Sequence, residues 1–284
     1  MAAGIALLAA PAAQATITVG SDLSHLATDS VGGPITAVSL NPGAVSPVNG
    51  TVVGFKVKES PGNSFSWGNV KARVLRPVGA TMFDGVATSP LTHVPATPTA
   101  NTIFSLPVQL PIAKGDSVGI DTGLGGNIVQ SAPVVGATYG FWSPPLTDSA
   151  PPSAPTPGLS GGRENLFNAQ IEPSSTFTLG TPAILKKGKA TVVVTVPNPG
   201  TVTASPPNIL TSAAKRRKKS LKPLLTTVTA TAANAGQVTL ALTASKAGRK
   251  VLKTKRKLKT TANVVYTPTG GSASTQTISL KLKP

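Results

Sequence analysis

The chain has 284 residues, with 26 Lys and Arg against 9 Asp and Glu for a formal charge of +17, no cysteine and two histidines. Without cysteine, disulfides, thiolate metal centres and cysteine nucleophiles are excluded. Only 12% of residues are charged, and Gly 28 with Pro 27 make up close to a fifth of the chain, a composition that favours short strands and many turns.

The charge is unevenly placed. All nine acids precede Ser174, where seven basic residues leave a balance of −2; the other 19 Lys and Arg follow it with no acid among them. Two parts with such different charge are expected to face different surroundings.

In chain order, residues 1–15 read as a secretory signal. The apolar run 2–10 is broken by Pro11, and Ala13-Gln14-Ala15 is a small-x-small cleavage site. No Lys or Arg precedes the run, which points to a start codon further upstream. The run is too short to cross a bilayer, which takes about 20 apolar residues. No other segment reads as a transmembrane helix, so the expectation is a secreted, extracellular chain, associated with the cell wall.

From residue 16 the pattern is β. Short alternating runs at 16–19, 35–40, 51–58, 70–76, 102–108, 117–121, 138–142 and 165–171 are the expected strands. Val53, Phe55 and Val57 share one face of their run against Lys56 and Lys58; Val70, Ala72 and Val74 oppose Lys71, Arg73 and Leu75. Residues 143–162, rich in Pro, Ser and Gly, read as a long surface loop. One buried face per strand over about eight strands predicts two stacked sheets across residues 16–173.

Residues 174–284 predict a second β-sandwich with about seven strands. Its runs are 177–179, 190–196, 200–205, 226–232, 237–244, 258–266 and 274–282. The fourth and fifth are expected to pair around the turn Asn234-Ala235-Gly236. Residues 245–255 are the single helix, with Ser245 as N-cap and Val251 and Leu252 as its apolar side. The fold class is thus all-β.

Three segments of the first part, 46–55, 73–77 and 110–120, resemble a jelly-roll-like domain of secreted proteins of high-GC Gram-positive bacteria. Residues 240–255 followed by 264–271 resemble a basic immunoglobulin- or fibronectin-like module appended to such proteins. The resemblance implies an exported pair of β-sandwiches and carries no catalytic residue.

Nothing points to an enzyme or a cofactor. His25 and His93 stand in no catalytic or metal-binding frame. Asp116, Asp121, Glu164 and Glu172 are the carboxylates that a glycosidase pair could draw on, though Asp116 and Asp121 fit turn caps equally well. The same two aspartates are the candidates for a calcium site, in a spacing that matches no defined loop. Gly123-Leu124-Gly125-Gly126-Asn127 lacks the Lys-Ser/Thr of a phosphate loop and reads as a β-turn. Lys114-Gly115-Asp116 likewise reads as a turn. Among the aromatics Phe65, Trp67, Tyr139, Phe141 and Trp142, the rings of Trp67, Tyr139 and Trp142 are the candidate sugar-stacking platform, with plain packing as the alternative.

The basic residues are the candidate site for a polyanion: Lys215, Arg216, Arg217, Lys218 and Lys219 in one run, and Arg249, Lys250, Lys253, Lys255, Arg256, Lys257 and Lys259 in a second cluster. Uncompensated charge of this size repels itself, and an anionic partner relieves it. No recognition motif accompanies it, so sequence-specific nucleic-acid reading is not expected. The leading expectation is a non-enzymatic surface-binding protein. Its front domain offers a ligand surface, with carbohydrate as the candidate ligand, and its basic module attaches to an anionic envelope polymer or polysaccharide. The alternatives are a structural spacer in a surface layer or appendage, and a carboxylate hydrolase.

Overall fold

The computed structural model describes residues 16–59, 67–95, 99, 101–157, 162–207 and 222–284. The expected signal segment and the basic run Lys215–Lys219 lie outside the described residues. Among the described residues, no helix is long and apolar enough to cross a membrane.

Fourteen strands precede the junction: β1 (Ile17–Gly20), β2 (Ala27–Gly32), β3 (Ile35–Ser39), β4 (Gly50–Lys58), β5 (Gly68–Val78), β6 (Met82–Thr88), β7 (Thr92–Val94), β8 (Ile103–Ile112), β9 (Ser117–Thr122), β10 (Asn127–Pro133), β11 (Tyr139–Trp142), β12 (Thr156–Pro157), β13 (Arg163–Asn165) and β14 (Phe167–Pro173). They form three antiparallel sheets, β1-β14-β4-β8, β13-β10-β2 and β12-β11-β3-β9-β5-β6, with β7 also on β5. Their shared core holds Phe55 stacked on Phe167 at 5.4 Å, with Trp67 edge-on to Phe167 at 6.5 Å. Strand β8 buries Leu106, Val108, Leu110 and Ile112 and turns Pro107 and Pro111 outward. It lies at a sheet edge, where proline costs no ladder bond.

Strands β5 and β9 depart from simple alternation. Arg73, Leu75 and Asp121 are buried as well as Val74 and Ile120. The reason is a second small core of Val38, Leu75, Phe83, Trp142 and Leu146 on the far side of that sheet. Residues 146–153, expected in a surface loop, pack over this side. Phe83 and Ser153 exchange backbone bonds of 2.9 and 3.1 Å, and Leu146 is buried. The segment is a cover, because the face beneath it is apolar and would otherwise meet water.

Eight strands and one α-helix follow: β15 (Thr178–Leu179), β16 (Ala183–Leu185), β17 (Lys189–Val196), β18 (Gly200–Ser205), β19 (Val228–Ala232), β20 (Gly236–Thr243), α1 (Lys246–Lys255), β21 (Leu258–Pro268) and β22 (Ser274–Leu282). One sheet is built on β17, flanked by β20 along its whole length and by β15 and β16 sharing the other edge. The other has the order β19-β18-β21-β22. Strands β19 and β20 were expected to pair. Instead β19 pairs β18 and β20 pairs β17, so the turn between them carries the chain from one sheet to the other. The two layers enclose a core of their own around Phe177, Val192, Val194, Leu240, Leu242, Val264 and Tyr266. It shares no residue with the first core.

Main-chain and side-chain amides join the two halves. Asn198, 1% exposed, accepts from the Asn49 N–H at 2.8 Å and donates to the Asn49 and Ser174 carbonyls at 2.8 and 3.0 Å. The Asn49 side chain donates to the Pro197 carbonyl at 2.9 Å. The Tyr266 hydroxyl donates to the Asn198 carbonyl at 2.7 Å.

Candidate functional site

The aromatic platform does not form. Trp67 is fully buried and donates its indole N–H to the Lys58 carbonyl at 2.9 Å. Tyr139 and Trp142 are 6% and 7% exposed, and Trp142 meets Phe83 edge-on at 5.8 Å. Alternation placed Trp142 opposite Tyr139, one of them free for a ligand. Both are covered because β11 lies in the sheet that is packed on two sides. These three rings are core residues and offer no face to a sugar.

The two aspartates raised for calcium are also committed elsewhere. Asp116 accepts a two-pronged bond from Arg76 at 2.8 and 2.9 Å and another from the Ala113 N–H at 2.9 Å. The same pairing raises the Arg76 guanidinium above its usual range. Asp121 accepts from the Thr36 hydroxyl at 2.5 Å and from Arg73 at 2.9 Å. Burial pushes the Asp121 carboxyl up, against the downward pull of Arg73 and Thr36. Arg73 also binds Asp148 at 2.6 Å and the Leu146 carbonyl at 2.6 Å, and so ties the covering segment to β5. Each carboxylate is held by its own arginine, which leaves neither free to act as a ligand or as half of an acid pair.

The second basic cluster does converge. Ser245 caps α1, accepting from the Gly248 N–H at 3.1 Å, and Arg256 closes it in the left-handed conformation with φ +55. Gly248 and Leu252 face inward. Lys246, Arg249, Lys250 and Lys253 recur at three- and four-residue spacing on the outer side of α1, a basic stripe that exposed Arg256 and Lys257 follow past the helix end. Gly188 touches the Leu252 side chain, and a Cβ there would lie only 2.6 Å from it. That contact seats the turn carrying Lys186, Lys187 and Lys189 beside the helix. Gly188 is further bonded to Lys283 and Ala244 at 2.8 and 2.9 Å. Pro223 and Leu224 pack on the helix start, with Leu224 accepting from the Ser245 N–H at 2.9 Å.

As a result, all fourteen described Lys and Arg of the second domain are exposed on four neighbouring segments: 186–189, 222, 246–259 and 281–283. Register fixes where this pole lies. Lys189 pairs with Thr243 and Leu258 with Leu282 at one end of the sandwich, whereas Val196 pairs with Gly236 and Gly200 with Pro268 at the other, beside Asn198. The pole is therefore a strand length, about 25–35 Å, from the junction. Lys259 stands directly opposite Lys281 across two strands, an arrangement of like charges that weakens a sheet. Among the described residues, every ion pair lies between residues 25 and 164, outside this domain.

A different constellation stands at the far end of the first domain. Strand β10 carries β2 on one side, with Ser131 opposite Ala27, and β13 on the other, with the Ser131 hydroxyl accepting from the Glu164 N–H at 3.2 Å. Both ladders shift register near Gln130. His25, just before β2, is thereby brought to Glu164, with Nδ1 2.9 Å from Oε2. Asp22 completes the group: one ligand atom from each of the three residues lies within 4.8 Å of the others. Hydrogen bonds from Ser24 hold the Asp22 carboxyl below its usual range, with His25 and Lys58 adding to the pull. Buried Lys58 donates to the Leu23 and His25 carbonyls at 2.8 and 2.6 Å and fixes this turn, in which Leu23 has φ +60. A shallow cavity of about 290 Å³ adjoins it, bounded by His25, Leu26, Thr28, Pro133 and Val134.

Glu164 stands among the carboxylates that the sequence offers for a glycosidase pair, and His25 stands there in no metal-binding frame. No local spacing links positions 139 residues apart; only the three-strand arrangement around β10 does. His93 is exposed, with Nδ1 3.1 Å from the Asn69 side-chain oxygen, and joins no such group. Comparison with known proteins finds no matching family, no matching characterised protein and no matching solved structure.

Proposed function

We propose that the chain is a non-enzymatic, extracellular attachment protein that grips an anionic envelope polymer through the pole formed by α1 and its neighbouring turns. One observation carries the reading. Fourteen exposed cations are gathered at the end of a domain that holds no acid, including a like-charged pair on adjacent strands. A fold selected for stability alone gains by interspersing acids among such charges. A phosphate- or carboxylate-rich polymer supplies the missing counter-charge, with release of condensed counterions as the driving force.

The test is elution of the full chain from immobilised heparin and from Gram-positive wall preparations at rising salt. A variant carrying Arg249→Glu, Lys253→Glu and Arg256→Glu is expected to elute at clearly lower salt. The slope of log affinity on log salt should fall by about one for each contact removed. Equal retention of variant and wild type overturns the reading. A second variant, with residues 215–219 changed to Gln, reports the share of the basic run.

The spacer reading retains one supporting observation, the reciprocal Asn49–Asn198 bonding that fixes one domain on the other. Concentration-dependent assembly of the purified chain, with no retention on any polyanion, would favour it instead.

A further inference from the structure

We infer that Asp22, His25 and Glu164 form a binding site for a divalent transition metal of the zinc type, with an open coordination position beside the His25–Pro133 cavity. The inference does not depend on the cationic pole, which lies in the other domain.

The donor set carries the argument. One imidazole and two carboxylates converge from two chain segments, with ligand atoms mutually within 4.8 Å. Zinc binds such donors at about 2.0–2.2 Å, so its ligands stand about 3–4 Å apart. His25 Nδ1 and Glu164 Oε2, hydrogen-bonded at 2.9 Å, stand just inside that spacing, so a metal that replaces the shared proton need part them only slightly. Asp22 is exposed, with one carboxylate oxygen accepting from the Ser24 N–H at 2.8 Å, and supplies the third donor within 4.8 Å of the other two.

The surroundings select the class of ion. Calcium requires six to eight oxygens. Here there are two carboxylates and an imidazole, and the Lys58 ammonium lies close enough to act on Asp22. A purely electrostatic cation gains little in such company. An imidazole-preferring metal gains a directed bond. Three protein ligands leave a fourth position for water or for an oxygen donor from a bound molecule, as in open zinc sites. The cavity beside His25 is the space such a molecule would enter.

The position adds to this. Strand β14 runs from Phe167, which accepts from the Ser21 N–H, to Pro173 at the domain junction. The cluster is thus at the tip of the first domain remote from the second, unobstructed by it.

The chain holds only two histidines, which makes the test direct. Zinc chloride is titrated into the full protein while the imidazole resonances are followed by NMR. His25 is expected to shift and saturate at one equivalent, with His93 unchanged as the internal control. Glu164→Gln and Asp22→Asn should each weaken binding at least tenfold, with thermal melts showing that both variants fold. His25→Ala should abolish the binding measured by competition with a chromophoric chelator. The proposal is overturned if His25 does not respond, if both histidines respond alike, or if His25→Ala binds as before. Displacement of zinc by equimolar calcium would overturn the class of ion. Polyanion retention of these variants should match wild type, so failure here and failure of the attachment reading are separable.

Discussion

The Asn198 side chain holds both main-chain groups of Asn49, so that two domains with separate cores are joined by hydrogen bonds that neither could form alone. Asn198 is 1% exposed and makes three of them. Replacing it with Ala leaves the Asn49 N–H and the Ser174 carbonyl without these partners, while the Asn49 carbonyl keeps the Ser174 N–H, at a cost of about 2–3 kcal/mol. Calorimetry is expected to resolve one unfolding transition in the wild type into two in Asn198→Ala. Asn49→Ala keeps the main-chain partners of Asn198 and removes only the side-chain bonds to the Pro197 carbonyl and the Lys114 N–H, so a double-mutant cycle reads the coupling carried through the shared junction, expected at about 0.5 kcal/mol or more. Additive effects would show that the two amides do not act together.

Glu59 gives the first domain a pH response. It is fully buried, neither carboxyl oxygen has a hydrogen-bond partner, and burial pushes its pKa from 4.5 up to about 7. A folded value above the unfolded one means that the contribution is complete below pH 4.5 and is lost as pH rises through 7. The wild type should lose about 2–3 kcal/mol between pH 5 and 8 from this group. Glu59→Gln should remove that slope and be the more stable protein at pH 8, as read by denaturation midpoints at several pH values. Parallel profiles would refute the assignment.

Arg73 is 3% exposed and bonded to Asp121, Asp148 and the Leu146 carbonyl. Arg73→Met leaves Asp121 buried without its counter-ion and should cost about 3–5 kcal/mol. Asp148→Ala, at the half-exposed end of the network, should cost less. Its effect should appear as faster hydrogen exchange in residues 146–153, with little change in β14.

Lys259 and Lys281 allow stability and attachment to be separated. Lys259→Glu turns a repulsive cross-strand pair into an attractive one, with an expected gain of about 0.5–1 kcal/mol. The same change removes charge from the pole, so retention on heparin should fall. A variant that is more stable and binds less is the signature of charge kept for a partner; unchanged retention would mean that Lys259 serves no partner.

Much of this architecture could be read from single residues. The alternation of Val192, Val194 and Val196 marked β17, and Ser245 marked the start of α1. Both signals are local and nothing in the fold overrides them. The covering segment 146–153 was not legible, because its prolines and serines describe a loop equally well; the apolar face of Leu75 and Val38 beneath it is created only by the fold. Tyr139 and Trp142 failed as a platform for the same reason, since a strand with two covered faces looks one-sided in sequence; Trp67, just before β5, is drawn into the main core beside Phe167. The pairing of β19 and β20 was misread because a short turn between two strands does not reveal whether they share a sheet. The cationic charge was visible at once, but its concentration at one pole depends on the contact of Gly188 with Leu252.

The second domain holds no Asp, Glu or His side chain. The Glu59 carboxyl, pushed up to about 7 by burial, therefore has no counterpart there. An environment that acidifies would act on the core of the first domain through Glu59, while the strength of the proposed cationic attachment would be set by salt.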